Sequence, residues 1–173
     1  MIIHAYNEEE SIFETVTSIL NYRKKVDFDL DYVVINDGST DKTKQILEEN
    51  HFNAVNLVMN LGIGGAVQTG YKYALEHDYD VAVQFDGDGQ HDIESLSDLL
   101  EPIRKKEADL VIGSRFVGDV KSEFQTTFMR RFGIGVISNL IKWTTGHRVL
   151  DTTSGYRLAD KAVIKQFASR YPI

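Results

Sequence analysis

The segment Val81-Ala82-Val83-Gln84-Phe85-Asp86-Gly87-Asp88-Gly89-Gln90-His91-Asp92 joins an apolar run directly to closely spaced carboxylates. The apolar part is typical of a buried β-strand. Because alternate residues of an extended chain point to the same side, Asp86 and Asp88 are expected to converge where that strand ends. Two hard oxygen donors at one point suit Mg²⁺ or Mn²⁺. The alternative is an ordinary turn, since turns are rich in Asp and Gly.

Around this segment, short β-rich runs alternate with helical patterns. Apolar residues recur at helical spacing within Ile12–Leu20, Ala66–Leu75 and Ile93–Ile103. Such alternation predicts an α/β fold with a mostly parallel central sheet and helices on both faces. The predicted strands are Met1–Ala5, Tyr32–Asn36, Asn56–Met59, Val81–Phe85 and Leu110–Gly113.

Length and composition limit the class of protein. The chain has 173 residues, of which 42% are hydrophobic and 26% charged, as expected for one soluble globular domain over residues 1–173. The net charge of −7 argues against nucleic acid as the main partner. The absence of cysteine excludes a disulfide framework and a cysteine-based zinc site.

No stretch of the sequence reaches the roughly 18 apolar residues of a membrane-spanning helix, so we expect a cytoplasmic protein. The amphipathic segment Phe124–Trp143 leaves two alternatives open, which are contact with the cytoplasmic face of a membrane and packing on the core. The last residues, Ser169–Ile173, continue a helical pattern without a stop signal, which is expected of an excerpt from a longer protein.

Function-prone side chains follow four of the predicted strands, which is harder to explain by chance than any single motif. Parallel α/β sheets bind ligands outside the carboxyl ends of their strands. The sequence therefore predicts one site at the edge of the sheet where the carboxyl ends of the strands lie. The residues are Tyr6 and Glu8 after the first strand, Asp37 after the second, Asp86 and Asp88 after the fourth, and Arg115 after the fifth.

Several of these residues also have a structural interpretation. Asp37 belongs to a turn before a helix or hydrogen-bonds a base or ribose, and both can hold at once. In the run Ser39-Thr40-Asp41, a hydroxyl side chain is predicted to cap a helix that begins near Asp41. Tyr6 either packs or lies against a nucleobase. Glu8 is either an acid favoured by the helix dipole or a ligand-binding group.

Phosphate-binding candidates occur in two further places. The glycine-rich segment Asn60–Ala66 offers backbone N–H groups to phosphate, or its glycines let a helix pack close to the sheet. The dinucleotide pattern G-x-G-x-x-G is incomplete, because Val67 replaces its last glycine. The side chains of Arg115, Arg130 and Arg131 match phosphate with a planar fork, and surface solvation is the alternative for one of the last two.

Taken in order, these segments resemble motifs of the family 2 glycosyltransferases, and among them the dolichyl- and polyprenyl-phosphate mannosyl- and glucosyltransferases. The resemblance covers nearly the whole chain, and the motifs are specific in combination. They are Ala5-Tyr6-Asn7-Glu8-Glu9, Asn36-Asp37-Gly38-Ser39-Thr40-Asp41, Asn60–Gly70, Asp86-Gly87-Asp88-Gly89-Gln90-His91-Asp92, Gly113-Ser114-Arg115 and Asp151-Thr152-Thr153-Ser154-Gly155-Tyr156-Arg157.

The resemblance implies a GT-A fold and inverting transfer of a hexose from a nucleotide-diphosphate sugar of the GDP-mannose or UDP-glucose type. The implied acceptor is a polyprenyl or dolichyl phosphate of the cell envelope, and the implied cofactor is Mg²⁺ or Mn²⁺. The residues implied to bind the nucleotide sugar are Tyr6, Glu8, Ile35, Asp37, Asp86, Gly87 and Asp88. The implied metal ligands are Asp86, Asp88 and Gln90. The implied catalytic residues are Asp88, Arg115 and Arg131, of which the two arginines would bind the acceptor or donor phosphates.

The chain departs from the family pattern at four positions. His4 stands where the family usually has proline, and Asn36 replaces the first aspartate of a pair. Ile63 replaces a commonly basic residue in the glycine-rich segment, and Ile134 replaces a common serine. By the resemblance, His4 falls in the loop over the base, and Ile63 and Ile134 fall in segments that contact phosphate.

Three other functions stay open. Transfer to a saccharide hydroxyl would need a general base, because a hydroxyl is a weak nucleophile at neutral pH, and Asp151 is the candidate. An anionic lipid phosphate would instead need positioning by arginines. A nucleotidyltransferase also combines a parallel sheet with acidic metal ligands. A nucleotide-sugar-binding module without turnover is the non-enzymatic alternative.

Overall fold

The computed structural model describes residues 1–86, 93–113 and 155–171. The chain divides into two compact units, one formed by Met1–Val111 with Tyr156–Ile173 and the other by Ile112–Gly155. Of the second unit, only Ile112, Gly113 and Gly155 lie within the described ranges. A single domain over residues 1–173 stays a prediction.

Strands and helices alternate along the described ranges. The strands are β1 (Ile2–Ala5), β2 (Val33–Asn36), β3 (Ala54–Asn56), β4 (Val81–Asp86), β5 (Leu110–Ile112) and β6 (Arg157–Asp160). The α-helices are α1 (Ile12–Arg23), α2 (Thr43–Glu49), α3 (Gly62–Glu76), α4 (Leu96–Arg104) and α5 (Lys161–Ser169). A 3₁₀ turn, Ile93–Ser95, leads into α4.

The strands form one sheet in the order β3-β2-β1-β4-β6-β5. Strands β3, β2, β1 and β4 are parallel to one another, and β6 pairs antiparallel with β4. The register places His4 of β1 between Ile35 of β2 and Asp86 of β4. The predicted α/β fold with a mostly parallel sheet is thereby confirmed.

Helices cover both faces of the sheet, as the sequence predicts. Successive residues of β1 point to opposite faces, so Ile3 lies in one apolar cluster and Ile2 in the other. The first cluster joins the sheet to α1 and α4 through residues that include Val34, Phe85, Ile12, Val16, Leu96 and Leu100. The second joins it to α3 and α5 through residues that include Val33, Ile35, Ala66, Val67, Tyr71 and Ile164.

The predicted helix faces are largely confirmed. Their buried members lie in the two clusters, whereas Phe13 of α1 and Leu75 of α3 are exposed. The longest helix within the described ranges is α3, with 15 residues. Among the described residues, no helix combines the length and the apolar character that crossing a membrane requires.

Helix α3 lies unusually close to β1. A Cβ atom added at Gly70 would lie 2.1 Å from Ile2 Cγ2, so only glycine allows this approach. The neighbouring Tyr71 ring then packs edge-on against Phe167 of α5, with ring centroids 5.1 Å apart. At Gly70 the structure therefore supports close helix packing. Phosphate binding by the glycines earlier in the segment stays a prediction.

One predicted strand was misplaced, and one strand of the sheet was not predicted. Strand β3 occupies Ala54–Asn56 and not Asn56–Met59, because its partner β2 ends at Asn36, which stands opposite Asn56. Leu57 N–H donates to the carbonyl of Asn36, the last residue of β2, and from Val58 onward the chain runs into an exposed loop. Strand β6 was not predicted, since its four residues carry only a short apolar signal.

Candidate functional site

The carboxyl ends of β2, β1 and β4 lie side by side, because β1 is the middle strand of the three. Strand β1 continues into Tyr6 and Glu8, β2 continues into Asp37, and β4 ends in Asp86. The structure therefore brings these four predicted residues to one edge of the sheet. This is the edge at which parallel α/β sheets bind their ligands.

Asp37 is completely buried, with 0% of the residue exposed. Its Oδ1 accepts a hydrogen bond of 2.7 Å from the N–H of Leu61, and its own N–H donates to the Ala5 carbonyl at 2.9 Å. A carboxylate is costly to bury unless it is hydrogen-bonded. Asp37 thus links the ends of β1 and β2 to the start of α3, and its contact with a nucleoside stays a prediction.

His4 lies next to this buried carboxylate. The distance from His4 Nε2 to Asp37 Oδ2 is 3.9 Å, which is too long for a hydrogen bond. Both atoms are shielded from solvent, and neither has a hydrogen-bond partner among the described residues. The sequence marked His4 only as a departure from the family pattern. The pairing was missed because the two residues meet only through the register of β1 and β2.

Asp86 differs from Asp37 in its surroundings. It is the last residue of β4, is half-buried, and stands opposite His4 in the sheet. Within the described ranges, no group of three or more His, Asp or Glu side chains is placed to hold a metal ion. The Asp86 carboxylate has the hard oxygen donors that Mg²⁺ and Mn²⁺ prefer, and the metal site stays a prediction.

The other nucleoside-binding candidates lie in three different environments. Tyr6 is 42% exposed, so its ring is accessible to a planar ligand. Glu8 Oε2 accepts a hydrogen bond of 2.7 Å from Ser11 Oγ just before α1, which fits its interpretation as a helix-start acid. Ile35 is buried in the second apolar cluster, where its side chain is part of the core.

The loops that follow β1 and β2 are joined by reciprocal hydrogen bonds, which we call the interloop network (residues 7–11 and 39–43). Three backbone N–H groups, those of residues 7–9, donate to side chains of the second loop. Their acceptors are, in order, Ser39 Oγ, Thr43 Oγ1 and Asp41 Oδ2, at 3.0, 2.8 and 3.0 Å. In the opposite direction, the N–H groups of Thr40 and Lys42 donate to Asn7 Oδ1 and Glu9 Oε2.

This network was missed at the level of sequence, where its residues were treated as ligand contacts or caps. Asn7 has a φ of +57°, a left-handed conformation that asparagine tolerates better than most residues. In this conformation, the Asn7 side chain accepts a hydrogen bond from the N–H of Thr40 in the second loop. The only signal in the sequence was the density of short polar side chains in both loops. The network fixes the loops that flank Tyr6 and Asp37.

Asp41 is shared by the network and the start of α2. Its Oδ1 accepts from the N–H of Thr43 at 2.9 Å, so Ser39 and Thr40 do not cap this helix, and it begins at Thr43. The predicted cap was wrong because the Ser39 hydroxyl binds the loop after β1. Burial raises the pKa of the Asp41 carboxyl, but hydrogen bonds from Thr43 and Glu9 outweigh it and hold the pKa below its ordinary value.

A shallow depression of about 560 Å³ opens beside the interloop network, lined by residues 7–11 and 40–41. Its lining is strongly acidic, so it would repel an anionic ligand in the absence of a cation. The lining includes none of Tyr6, Asp37 and Asp86. Of the four strand-end residues singled out from the sequence, only Glu8 lines the depression.

The remaining predicted site residues lie outside the described residues, and their roles stay predictions. They are Gly87, Asp88, Gln90, Arg115, Arg131 and Asp151, together with the amphipathic segment Phe124–Trp143.

Comparison with known proteins decides the family. The family model described as Glycosyl transferase family 2 matches residues 1–170. The chain belongs to glycosyl transferase family 2. The resemblance found in the sequence motifs is thereby confirmed, and the strand-end residues described above are those of a glycosyltransferase sheet.

Curated relatives of this glycosyltransferase chain include proteins named for transfer to lipid phosphates. The UDP-N-acetylglucosamine–dolichyl-phosphate N-acetylglucosaminyltransferase of Methanococcus voltae is 33% identical, over 95% of this chain and 70% of its own length. The undecaprenyl-phosphate mannosyltransferase of Micrococcus luteus is 34% identical, over 90% of this chain and 63% of its own length.

Solved structures confirm the fold of the family 2 chain. The glucosyl-3-phosphoglycerate synthase of Mycobacterium tuberculosis, in complex with phosphoglyceric acid, superposes with a TM-score of 0.68 at 22% identity. The match covers 94% of this chain and 56% of the synthase, so the chain spans little more than half of that protein. The expected GT-A fold is therefore present.

Proposed function

We propose that the protein containing this chain transfers a hexose from a nucleotide-diphosphate sugar to a polyprenyl or dolichyl phosphate, with inversion at the anomeric carbon. One observation carries the proposal: the ends of β1, β2 and β4 bring Tyr6, Asp37 and Asp86 to one edge of a family 2 sheet. Relatives at 33% and 34% identity are named for transfer to dolichyl and undecaprenyl phosphate, which supports this acceptor class.

The donor nucleotide is proposed to lie across the ends of β1 and β2. The exposed Tyr6 ring offers a flat surface for the base. Asp37 and Glu8 are proposed to hold the nucleoside, with Ile35 behind them in the core. The interloop network keeps the two loops in fixed positions, which lowers the entropy lost when the nucleotide binds.

The diphosphate is proposed to lie at the end of β4, held by Asp86, Gly87 and Asp88. Asp86, Asp88 and Gln90 would hold Mg²⁺ or Mn²⁺, and the donor chemistry of their oxygens fits either ion. A bound divalent cation supplies positive charge that stabilises the departing nucleoside diphosphate. The position of Asp86 as the last residue of a largely buried strand supports this proposal, because the strand fixes the backbone that carries the carboxylate.

The acceptor phosphate is already an anionic nucleophile, so no proton has to be removed from it. One of its oxygens bonds to the anomeric carbon while the bond from that carbon to the diphosphate oxygen breaks on the opposite face. Arg115 and Arg131 are proposed to orient the two phosphates, because a guanidinium group binds phosphate oxygens in pairs. We place this reaction at the cytoplasmic face of a membrane, with nucleic acid playing no part.

The experiment is a transfer assay with the full-length protein. Labelled GDP-mannose, UDP-glucose and UDP-N-acetylglucosamine are each offered with polyprenyl phosphate, with and without EDTA. We expect one donor to give a lipid product that mild acid hydrolyses, an anomeric centre of inverted configuration by NMR, and loss of transfer in EDTA. Undiminished transfer in EDTA would refute the metal role.

Three further measurements distinguish the competing functions. Transfer only to a saccharide hydroxyl, abolished in Asp151→Asn, would support the general-base alternative. Release of inorganic diphosphate from a nucleoside triphosphate would identify a nucleotidyltransferase. Metal-dependent nucleotide binding by calorimetry without any turnover would identify a binding module. Each of these three results contradicts the proposed lipid-phosphate transfer.

A further inference from the structure

The loop between β3 and α3, together with the first two residues of α3, exposes apolar side chains after the carboxyl end of β3. Val58 is 101% exposed, Met59 65%, Leu61 52% and Ile63 58%. We call residues 57–63 the apolar loop. No Asp, Glu, Lys or Arg occurs between Glu49 and Lys72, although 26% of the chain is charged. Single exposed apolar residues are ordinary, but a clustered set marks an interaction surface.

The backbone of the apolar loop is held firmly while its side chains point outward. Leu57 N–H donates to the Asn36 carbonyl at 2.9 Å, and Leu61 N–H donates to Asp37 Oδ1 at 2.7 Å. The loop also packs against Gly38, where an added Cβ would lie 2.7 Å from backbone atoms of Met59 and Asn60. The exposure of these side chains is therefore built into the fold.

We propose that the apolar loop inserts into the surface of a lipid bilayer. Uncharged apolar side chains enter the boundary between headgroups and acyl chains, where charged ones are excluded. The loop has no charge to pair with anionic lipid, and the chain as a whole is negative, with a net charge of −7. The contact is therefore apolar and suits an electrically neutral lipid surface.

A second copy of the chain fits this loop less well. A stable protein interface buries about 800 Å² on each partner, and four side chains of one short loop fall well short of that area. Insertion into lipid needs no such area, because each buried apolar group contributes separately. The inference rests on the proposed function in one respect, which is that a lipid-phosphate acceptor resides in a bilayer. The apolar loop is close to the candidate site, because the N–H of Leu61 donates a hydrogen bond to Asp37.

A labelled single cysteine tests the insertion directly. The chain contains no cysteine, so Val58→Cys in the full chain carries an environment-sensitive fluorophore at one position. On adding neutral phosphatidylcholine vesicles, we expect its emission to shift to the blue and to rise severalfold, at low and at high salt alike. The matched control is Leu75→Cys, an exposed position on α3 outside the apolar loop, which we expect not to respond.

A second measurement uses vesicle sedimentation. We expect the double variant V58S/M59S to partition onto phosphatidylcholine vesicles about tenfold more weakly than the wild type. The control F13S/L75S removes two exposed apolar side chains elsewhere and should partition as the wild type does. Circular dichroism melting of both variants verifies that they are folded.

Three results would overturn the inference. The first is an unresponsive label at position 58, and the second is V58S/M59S partitioning that equals the wild type. The third is a concentration-dependent dimer that the double variant loses, since a second copy would then occupy the loop. None of these measurements involves sugar transfer. Vesicle binding without transfer would therefore refute the proposed function alone, and transfer without loop insertion would refute this inference alone.

Discussion

Asp37 follows β2 and Asp86 ends β4, the two parallel strands that flank β1, but the structure gives the two carboxylates different surroundings. Asp37 is fully buried and accepts the N–H of Leu61, next to the His4 ring. Asp86 is half-buried and ends its strand at the point where the predicted metal ligands begin. A strand end that carries an aspartate therefore describes two environments, one in which the carboxylate is fully buried and one in which it is half-buried.

Asp37 and Asp86 are expected to contribute to different properties, Asp37 to the stability of the fold and Asp86 to sugar transfer. A buried, hydrogen-bonded carboxylate contributes to the free energy of unfolding, because its partners are left unsatisfied when it is removed. If Asp86 binds the metal as proposed, its carboxylate should contribute mainly to binding and catalysis. If this contrast is correct, substitutions at the two strand ends will affect different measurements.

The largest effect is expected from Asp86→Asn. Replacing the carboxylate with a neutral amide weakens a hard metal ligand at the point where charge develops, so transfer should fall about 1000-fold or more. The free energy of unfolding should change by less than about 1 kcal/mol. The exposed Asp109→Asn is the charge-matched control and should retain full transfer. If Asp86→Asn transferred sugar at the wild-type rate, the proposed role of Asp86 in transfer would be wrong.

The next effect is expected from Gly38→Ala at the end of β2. Gly38 has a φ of +67°, and a Cβ there would meet backbone atoms of Met59 and Asn60 at 2.7 Å. Strain and overpacking together should lower the free energy of unfolding by about 3 kcal/mol in urea titrations. Gly62→Ala is the matched control, because Gly62 has a φ of +76° but nothing within 4 Å of the added Cβ. It should lose only about 1 kcal/mol.

Two substitutions of Asp37 divide its structural role from its predicted nucleoside contact. Asp37→Ala removes the acceptor of Leu61 N–H and should lower the free energy of unfolding by about 2 kcal/mol. Asp37→Asn keeps an oxygen in that place and should lose less than about 1 kcal/mol. If Asp37 holds the nucleoside, calorimetry will show weaker nucleotide binding for both variants. Wild-type nucleotide affinity in folded Asp37→Asn would leave Asp37 a purely structural residue.

The smallest effect is a pH dependence that arises from Asp41. Its pKa in the folded protein lies below the ordinary 3.8, because hydrogen bonds from Thr43 and Glu9 outweigh its burial. As pH falls, the unfolded chain takes up the proton first, so the stabilisation is complete above pH 3.8 and disappears at lower pH. Comparing urea unfolding of the wild type and Asp41→Asn from pH 7 to pH 3 should show a constant difference that shrinks only at the acid end. A difference independent of pH throughout would contradict this assignment.

Much of the sheet could be predicted from local pattern, and the exceptions have physical causes. Buried runs such as Val81–Phe85 identified strands, and apolar spacing identified α1, α3 and α4. Strand β3 was misplaced because its end is set by the end of β2 and not by its own apolar residues. The proximity of His4 to Asp37 was missed, and so was the interloop network, because the residues involved come from segments that are distant along the chain.

The sequence by itself determined the alternation of strands and helices, the family, and the positions at which polar residues follow strands. Periodicity and turn chemistry are local properties, so they are visible without a structure. Only the tertiary structure decided the strand order, the burial of Asp37 beside His4, and the use of the Asn7 and Asp41 side chains to bind another loop. Those features depend on which distant segments become neighbours, and strand pairing and register decide this for the chain as a whole.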